Sequence, residues 1–209
     1  LTVVLFHLLR RQGLERGSIL LLTLASLTFY GWWSAKYLLL LIPLMLVDYA
    51  IASRMVLWRQ QHSNGAKLLL ILGVCINLGA LGYYKYANFF VDNVNAVFGT
   101  ELFLATIVLP IGISFFTFQQ IAYLVDAYRG ETREYNFLHY CLFVTFFPQL
   151  IAGPIVHPRE MLPQFAHEFI YRLNYRNLAV GLTIFAIGLF KKVVLADGVA
   201  VFATPVFNA

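Results

Sequence analysis

Residues 37–53 read YLLLLIPLMLVDYAIAS, an apolar run whose only charge is Asp48. The same texture recurs on both sides of it. The opening stretch LTVVLFHLL ends near Leu9, and further candidate spans are Ser18–Trp33, Ala66–Tyr84, Leu102–Val125, Phe137–Val156 and Leu178–Phe190. A hydrocarbon core of about 30 Å takes about 20 helical residues. Four or five of these segments approach or meet that length, and the shorter ones fit by tilting or partial insertion. The expected fold class is therefore all-α, a polytopic membrane protein.

Composition agrees. Of the 209 residues 60% are apolar and 12% charged, with a mean hydropathy of +0.74, whereas soluble chains carry about a quarter charged residues. That excludes an ordinary soluble domain. The net charge of +5 reports membrane topology, and no nucleic-acid partner is expected, because Lys and Arg are retained on the cytoplasmic side of short loops. Arg10, Arg11 and Arg16, then Arg54, Arg59 and Lys67, mark two inside loops; the intervening loops hold only Lys36 and Lys85. Arg129 and Arg133 also fall inside. A full crossing by Phe137–Val156 would then place Arg159, Arg172 and Arg176 outside, against the rule. The conflict disappears if this segment enters the membrane and returns. Pro148, Gly153 and Pro154 break helical hydrogen bonding there, and Pro110 and Gly112 interrupt the preceding span, although a plain kink also explains Pro110. Broken backbone at membrane depth survives only in protein or beside a wet cavity, so two interrupted segments predict a polar interior. Trp32, Trp33 and Tyr37, with Tyr83, Tyr84 and Tyr86, read as interfacial aromatic belts. The chain starts inside one apolar stretch and stops soon after another begins, so it is expected to be a piece of a longer protein.

Several chemistries have no sequence support. Gly112-Ile113-Ser114 lacks the second glycine of a nucleophile elbow. No histidine has an aspartate five positions on, and no phosphate-binding loop or paired metal-binding histidines occur. Cys75 and Cys141 stand alone in apolar runs, so neither a disulfide nor a zinc site is indicated. No metal and no resident cofactor are expected. Asp48 carries two readings: a functional intramembrane carboxylate, or a charge near the cytoplasmic end paired locally, for instance with Arg54. Gln119 and Gln120 are expected to face protein or a cavity. Gln149 either faces the polar interior or binds backbone groups freed by Pro148. His139 and His157 are each a general base or a structural residue, and Lys191 and Lys192 read as cytoplasmic anchors.

Two long stretches belong together: LPIGISFFTFQQIAYLVDAYRGE at 109–131 and FFPQLIAGPIVHPREMLPQ at 146–164. With FYGWW at 29–33, VDYAIA at 47–52, YYKYANFF at 83–90 and FKKVVLAD at 190–197, the chain resembles the membrane-bound O-acyltransferase family, most closely its alginate O-acetyltransferase-like branch. The resemblance implies that residues 1–209 are the amino-terminal portion of one membrane domain, a multi-helix bundle with re-entrant and broken helices around a tunnel. It implies multi-pass insertion in a bacterial cytoplasmic (inner) membrane. An acetyl group would pass from acetyl-coenzyme A, the cytoplasmic donor, toward hydroxyls of an extracytoplasmic polysaccharide such as alginate. An extracytoplasmic acetyl-transfer partner protein and membrane lipid would be the other partners. The family's catalytic histidine, in a WHG element, is matched by none of His7, His62, His139, His157 and His167, and is expected beyond residue 209. Asp48, Gln119, Asp126, Gln149, Gly153 and Pro154 would shape the tunnel or substrate path. Arg129 and Arg159 would contact donor phosphates, because an Arg fork matches phosphate oxygens, or would simply set topology. Two rivals stand beside this reading: a transporter or channel segment, and a noncatalytic scaffold of a polysaccharide-modifying complex.

Overall fold

The computed structural model describes residues 2–59, 63–131, 136–151, 153, 156–157, 160–161, 164–165 and 174–207, and among them there is helix but no strand. The chain divides into two compact units, 1–166 and 167–209. In the first, the helices are α1 (Thr2–Arg11), α2 (Glu15–Trp33), α3 (Ala35–Arg59), α4 (Ser63–Phe98), α5 (Ile113–Arg129), α6 (Phe137–Thr145) and the single turn α7 (Phe147–Leu150). In the second, α8 (Tyr175–Phe190) runs through a π-helical turn, Lys191–Ala196, into α9 (Asp197–Phe207). Lys192 pairs with Asp197 across that turn at 2.6 Å.

Among the described residues three helices are long and apolar enough to cross a membrane by length and composition: Ala35–Trp58, Asn64–Phe98 and Tyr175–Val206. The run expected to end at Tyr84 thus continues to Phe98, and the one expected to end at Phe190 continues to Phe207. At 36 residues, α4 is about 54 Å long, well beyond the thickness of a bilayer core.

The span expected at Leu102–Val125 is not one helix. Residues 101–110 carry no helix, and α5 begins only at Ile113. Two amides on α4, seven residues apart, explain the alternative. Asn95 donates to Leu102 O at 2.9 Å and accepts from Leu102 N at 3.0 Å. Asn88 accepts from Ile107 N at 3.0 Å and donates to Ala105 O at 3.3 Å. Tyr37 and Tyr30 add hydroxyl donors to Val108 O at 2.6 Å and Ile111 O at 3.1 Å. Side chains therefore satisfy much of the backbone that a helix would have satisfied itself.

Helix α2 shows how the bundle is held. Ser18, Ile19, Leu22, Thr23, Ser26 and Tyr30 form its buried face, and Leu20, Leu24 and Phe29 point outward. The small polar residues Ser18, Thr23 and Ser26 share the protein-facing side with Ile19, Leu22 and Tyr30, and small side chains there let helices pack closely where lipid removes the hydrophobic drive. The hydroxyls of Thr23 and Ser26 bond the carbonyls four residues back at 3.0 and 2.8 Å. Helices α3, α4 and α5 pack on one another, and α2 and α3 cover α6. Residues Tyr140 to Thr145 of α6 are buried throughout, alongside Phe116 and Leu124 of α5 and Leu41 and Met55 of α3.

Candidate functional site

The two interrupted segments meet. Gly112, the N-cap of α5, has φ +72°, the left-handed region that favours glycine. A Cβ there would lie 2.8 Å from Leu150 O and 3.5 Å from Ile151 Cα. The break in the first segment is seated directly on the break in the second.

That second break opens at Phe146, between α6 and α7. In an unbroken helix Phe143 O would accept from Phe147 N. Instead, Phe147 N donates to Ser26 Oγ on α2 at 3.2 Å. Phe143 O takes two amide donors, Gln119 Nε2 at 2.7 Å and Gln149 Nε2 at 3.2 Å. Gln119 and Gln149, named separately from the sequence, therefore converge on one carbonyl. Gln149 binds backbone, but at the carbonyl released by Phe147 N and not at the one Pro148 would free, and its amide also reaches Met161 Sδ at 3.2 Å. Gly153 closes the turn, since a Cβ there would approach Gln149 Cα to 2.7 Å.

The path of the chain through this region is set by its two contacts with α5. Leu150 touches Gly112 at one end of α5, whereas His157 Nδ1 lies 2.9 Å from Asp126 Oδ2 near the other. Fourteen helical residues separate those points by about 21 Å. Leu150 and His157, seven residues apart, thus meet opposite ends of α5. Arg10 Nη2, at the end of α1, donates to Phe165 O at 2.9 Å.

Asp126 is 3% exposed at its side chain and His157 42%. A carboxylate only accepts, so His157 Nδ1 carries the proton, and in the neutral ring Nε2 is left as an acceptor. The sequence showed no such partner for His157. Arg129, one turn beyond Asp126 on α5, is exposed. Pro154 and Arg159 lie outside the described residues, as do His62 and His167.

Asp48 sits elsewhere, fully buried between α3 and α4. Its partner is Asn77, not Arg54: Asn77 Nδ2 lies 2.9 and 2.8 Å from the two carboxylate oxygens and 2.9 Å from Gly73 O. Asn77 Oδ1, Gln120 Nε2 and Thr117 Oγ1 are buried without hydrogen-bond partners among the described residues. Tyr140 OH stands 3.5 Å from Gln120 Oε1. Asn77 and Tyr140 were not singled out from the sequence, although a lone Asn in the apolar run ILGVCINLGALG is the kind of signal that marks a buried polar contact. Among the described residues no group of three or more His, Cys, Asp or Glu could hold a metal ion.

The architecture of touching interrupted segments coincides with a sequence match. The profile of MBOAT, the membrane-bound O-acyltransferase family, matches residues 27–208. The chain belongs to this family. Among curated MBOAT relatives it is 46% identical over 208 residues to a peptidoglycan O-acetyltransferase of Helicobacter pylori, covering 87% of this chain and 39% of that protein. It is 41% identical over 198 residues to the probable alginate O-acetylase AlgI of Pseudomonas aeruginosa, covering 92% and 37%. Against the AlgI of Azotobacter vinelandii it is 42% identical over 193 residues, covering 90% and 38%. The chain thus spans about two fifths of the length of these MBOAT relatives. No solved structure matches it significantly.

Proposed function

We propose that this chain is part of a membrane O-acetyltransferase that moves acetyl from acetyl-coenzyme A on the cytoplasmic side to hydroxyls of an extracytoplasmic glycan. Membership of the MBOAT family, with relatives named for O-acetylation of alginate and peptidoglycan, carries the reading. The overall reaction exchanges a thioester for an oxygen ester: the acceptor C–O–acetyl bond forms, the C–S bond breaks, and the hydroxyl proton ends on the coenzyme thiol. In this reading the clamped pair of interrupted segments is the rigid wall of the acetyl path. A fixed wall holds the thioester and the acceptor close, which is where such an enzyme gains rate. None of the five histidines is given the catalytic-base role, which belongs to a residue outside 1–209. In this reading Arg129 meets donor phosphates, and the same role is proposed for Arg159 from its sequence alone. Transfer proceeds directly or through an extracytoplasmic partner protein, in the inner membrane of a bacterium.

The test uses the full-length protein in proteoliposomes, with labelled acetyl-coenzyme A on the side of Arg10 and Arg54 and an oligosaccharide acceptor on the other. Labelled O-acetyl ester on the acceptor side is expected, and Arg129→Ala raises the donor KM about tenfold, the loss of one charge-assisted contact. Ester formed only when donor and acceptor share a side would overturn the direction of transfer. Uptake of a solute with no ester would favour a transporter.

A further inference from the structure

Away from the interrupted segments, a cavity of about 680 Å³ opens where the α2–α3 turn, α4 and the extended segment 101–110 come together. Its walls include Trp33, Lys36, Tyr37, Tyr83 and Tyr84, and residues 104–108 complete the lining. The volume lies within the roughly 300–1,000 Å³ that ligand pockets occupy.

The lining has a definite chemistry. Trp33 is 69% exposed and Tyr83 54%, so their ring faces are open. Tyr37 is buried, with its hydroxyl spent on Val108 O, and it acts as a fixed wall. This removes Tyr37 from the interfacial belt that the sequence suggested. Tyr83 and Tyr84 stand edge to face, 5.2 Å apart at 88°, which presents two ring planes at right angles. Aromatic faces carry negative charge density that attracts polarised C–H groups, and tyrosine and tryptophan keep a polar edge for hydrogen bonding. Ser34 and Thr106 in the lining carry hydroxyls. Lys36 is the charged side chain in the wall.

Sidedness points the same way. The cavity is formed at the end of α2 and the start of α3, the ends opposite Arg16 on α2 and Arg54 and Arg59 on α3. The positive-inside rule places it on the extracytoplasmic face.

We propose that this cavity is a glycan subsite, which takes a carboxylate-bearing pyranose of the acceptor chain against Trp33 and Tyr83 with its carboxylate on Lys36. The proposal rests on the acetyltransferase reading for the role of its ligand but not for its chemistry. Stacking on C–H faces and hydrogen bonding to hydroxyls favour a sugar over a lipid chain, and a single cation favours an acidic sugar over a neutral one.

The experiment measures binding to the full-length protein in nanodiscs, with a mannuronate hexamer and neutral mannohexaose as probes. Trp33, Lys36 and Tyr83 are exposed, so Trp33→Ala, Lys36→Gln and Tyr83→Ala leave the packing intact, which the elution profile verifies. Binding of the acidic hexamer to the unaltered protein is expected to weaken about tenfold in each variant. Lys36→Gln should erase the preference for the acidic probe while leaving neutral binding unchanged. Absence of hexamer binding to the unaltered protein overturns the subsite, as does binding unaffected by all three substitutions. Ester formation assayed on the same preparation separates the two ideas: ester without hexamer binding sinks the subsite and keeps the transferase, whereas hexamer binding without ester does the reverse.

Discussion

Between Glu101 and Pro110 the backbone leaves helical form at the surface, and at Phe146 it does so at the edge of the buried core, and the two places are repaired differently. In the first, Asn88 and Asn95 reach across from α4 to an exposed, extended chain. In the second, Gln119 meets the buried Phe143 O, and Gln149 and Ser26 make half-buried bonds beside it among α2, α5 and α6. Water can stand in for a lost side chain at the surface but not in the interior, where an orphaned polar group costs about 1–3 kcal/mol. The buried break should therefore be the less tolerant one.

The largest effect is expected at the point where the two segments touch. Gly112→Val would force a β-branched residue into a positive φ and drive a side chain into Leu150 O. The loss of stability should be on the order of 3 kcal/mol or more, read as a collapse of the thermal transition in detergent. A normal transition would mean that the contact is loose.

Next comes the shared carbonyl. Gln119→Leu and Gln149→Leu should each destabilise by about 1 kcal/mol, because Phe143 O keeps its other donor, and the double substitution by about 3 kcal/mol. Strict additivity in the unfolding cycle would show that the two amides do not serve one acceptor. Ser26→Ala should remove about 1–2 kcal/mol and speed hydrogen exchange at the Phe147 amide, leaving α3 and α4 unchanged. Smallest is the surface pair: Asn88→Ala and Asn95→Ala should each change stability by no more than about 0.5 kcal/mol, with faster exchange at Leu102 and Ile107. Equal losses at the Asn and Gln sites would erase the distinction between surface and interior.

What the sequence made legible follows the reach of its signals. Apolar runs revealed α2 and α3, and Pro148 and Gly153 pointed to a broken helix in the Phe137–Val156 segment. The extended form of 101–110 stayed hidden because an apolar run reads alike as helix or strand, and the deciding groups, Asn88 and Asn95, belong to another element. Tyr83 to Tyr86 looked like the end of a span, so the continuation of α4 to Phe98 was missed. The pairing of Asp126 with His157 joins positions 31 apart in sequence, and that of Asp48 with Asn77 joins positions 29 apart. No periodicity encodes either distance.

The π-helical turn at Lys191–Ala196 makes the long helix of the second unit a rod with two bearings. Accommodating one additional residue in a turn rotates every side chain beyond it by about 100° relative to a regular helix of 3.6 residues per turn. A stripe of residues along Tyr175–Phe190 therefore does not continue as the same stripe along Asp197–Phe207. Lys192 and Asp197, which a regular helix would aim about 140° apart, close at 2.6 Å for this reason. Removing a single residue such as Val193 would swing the whole of Asp197–Phe207 back, re-aiming eleven residues while altering the composition by one.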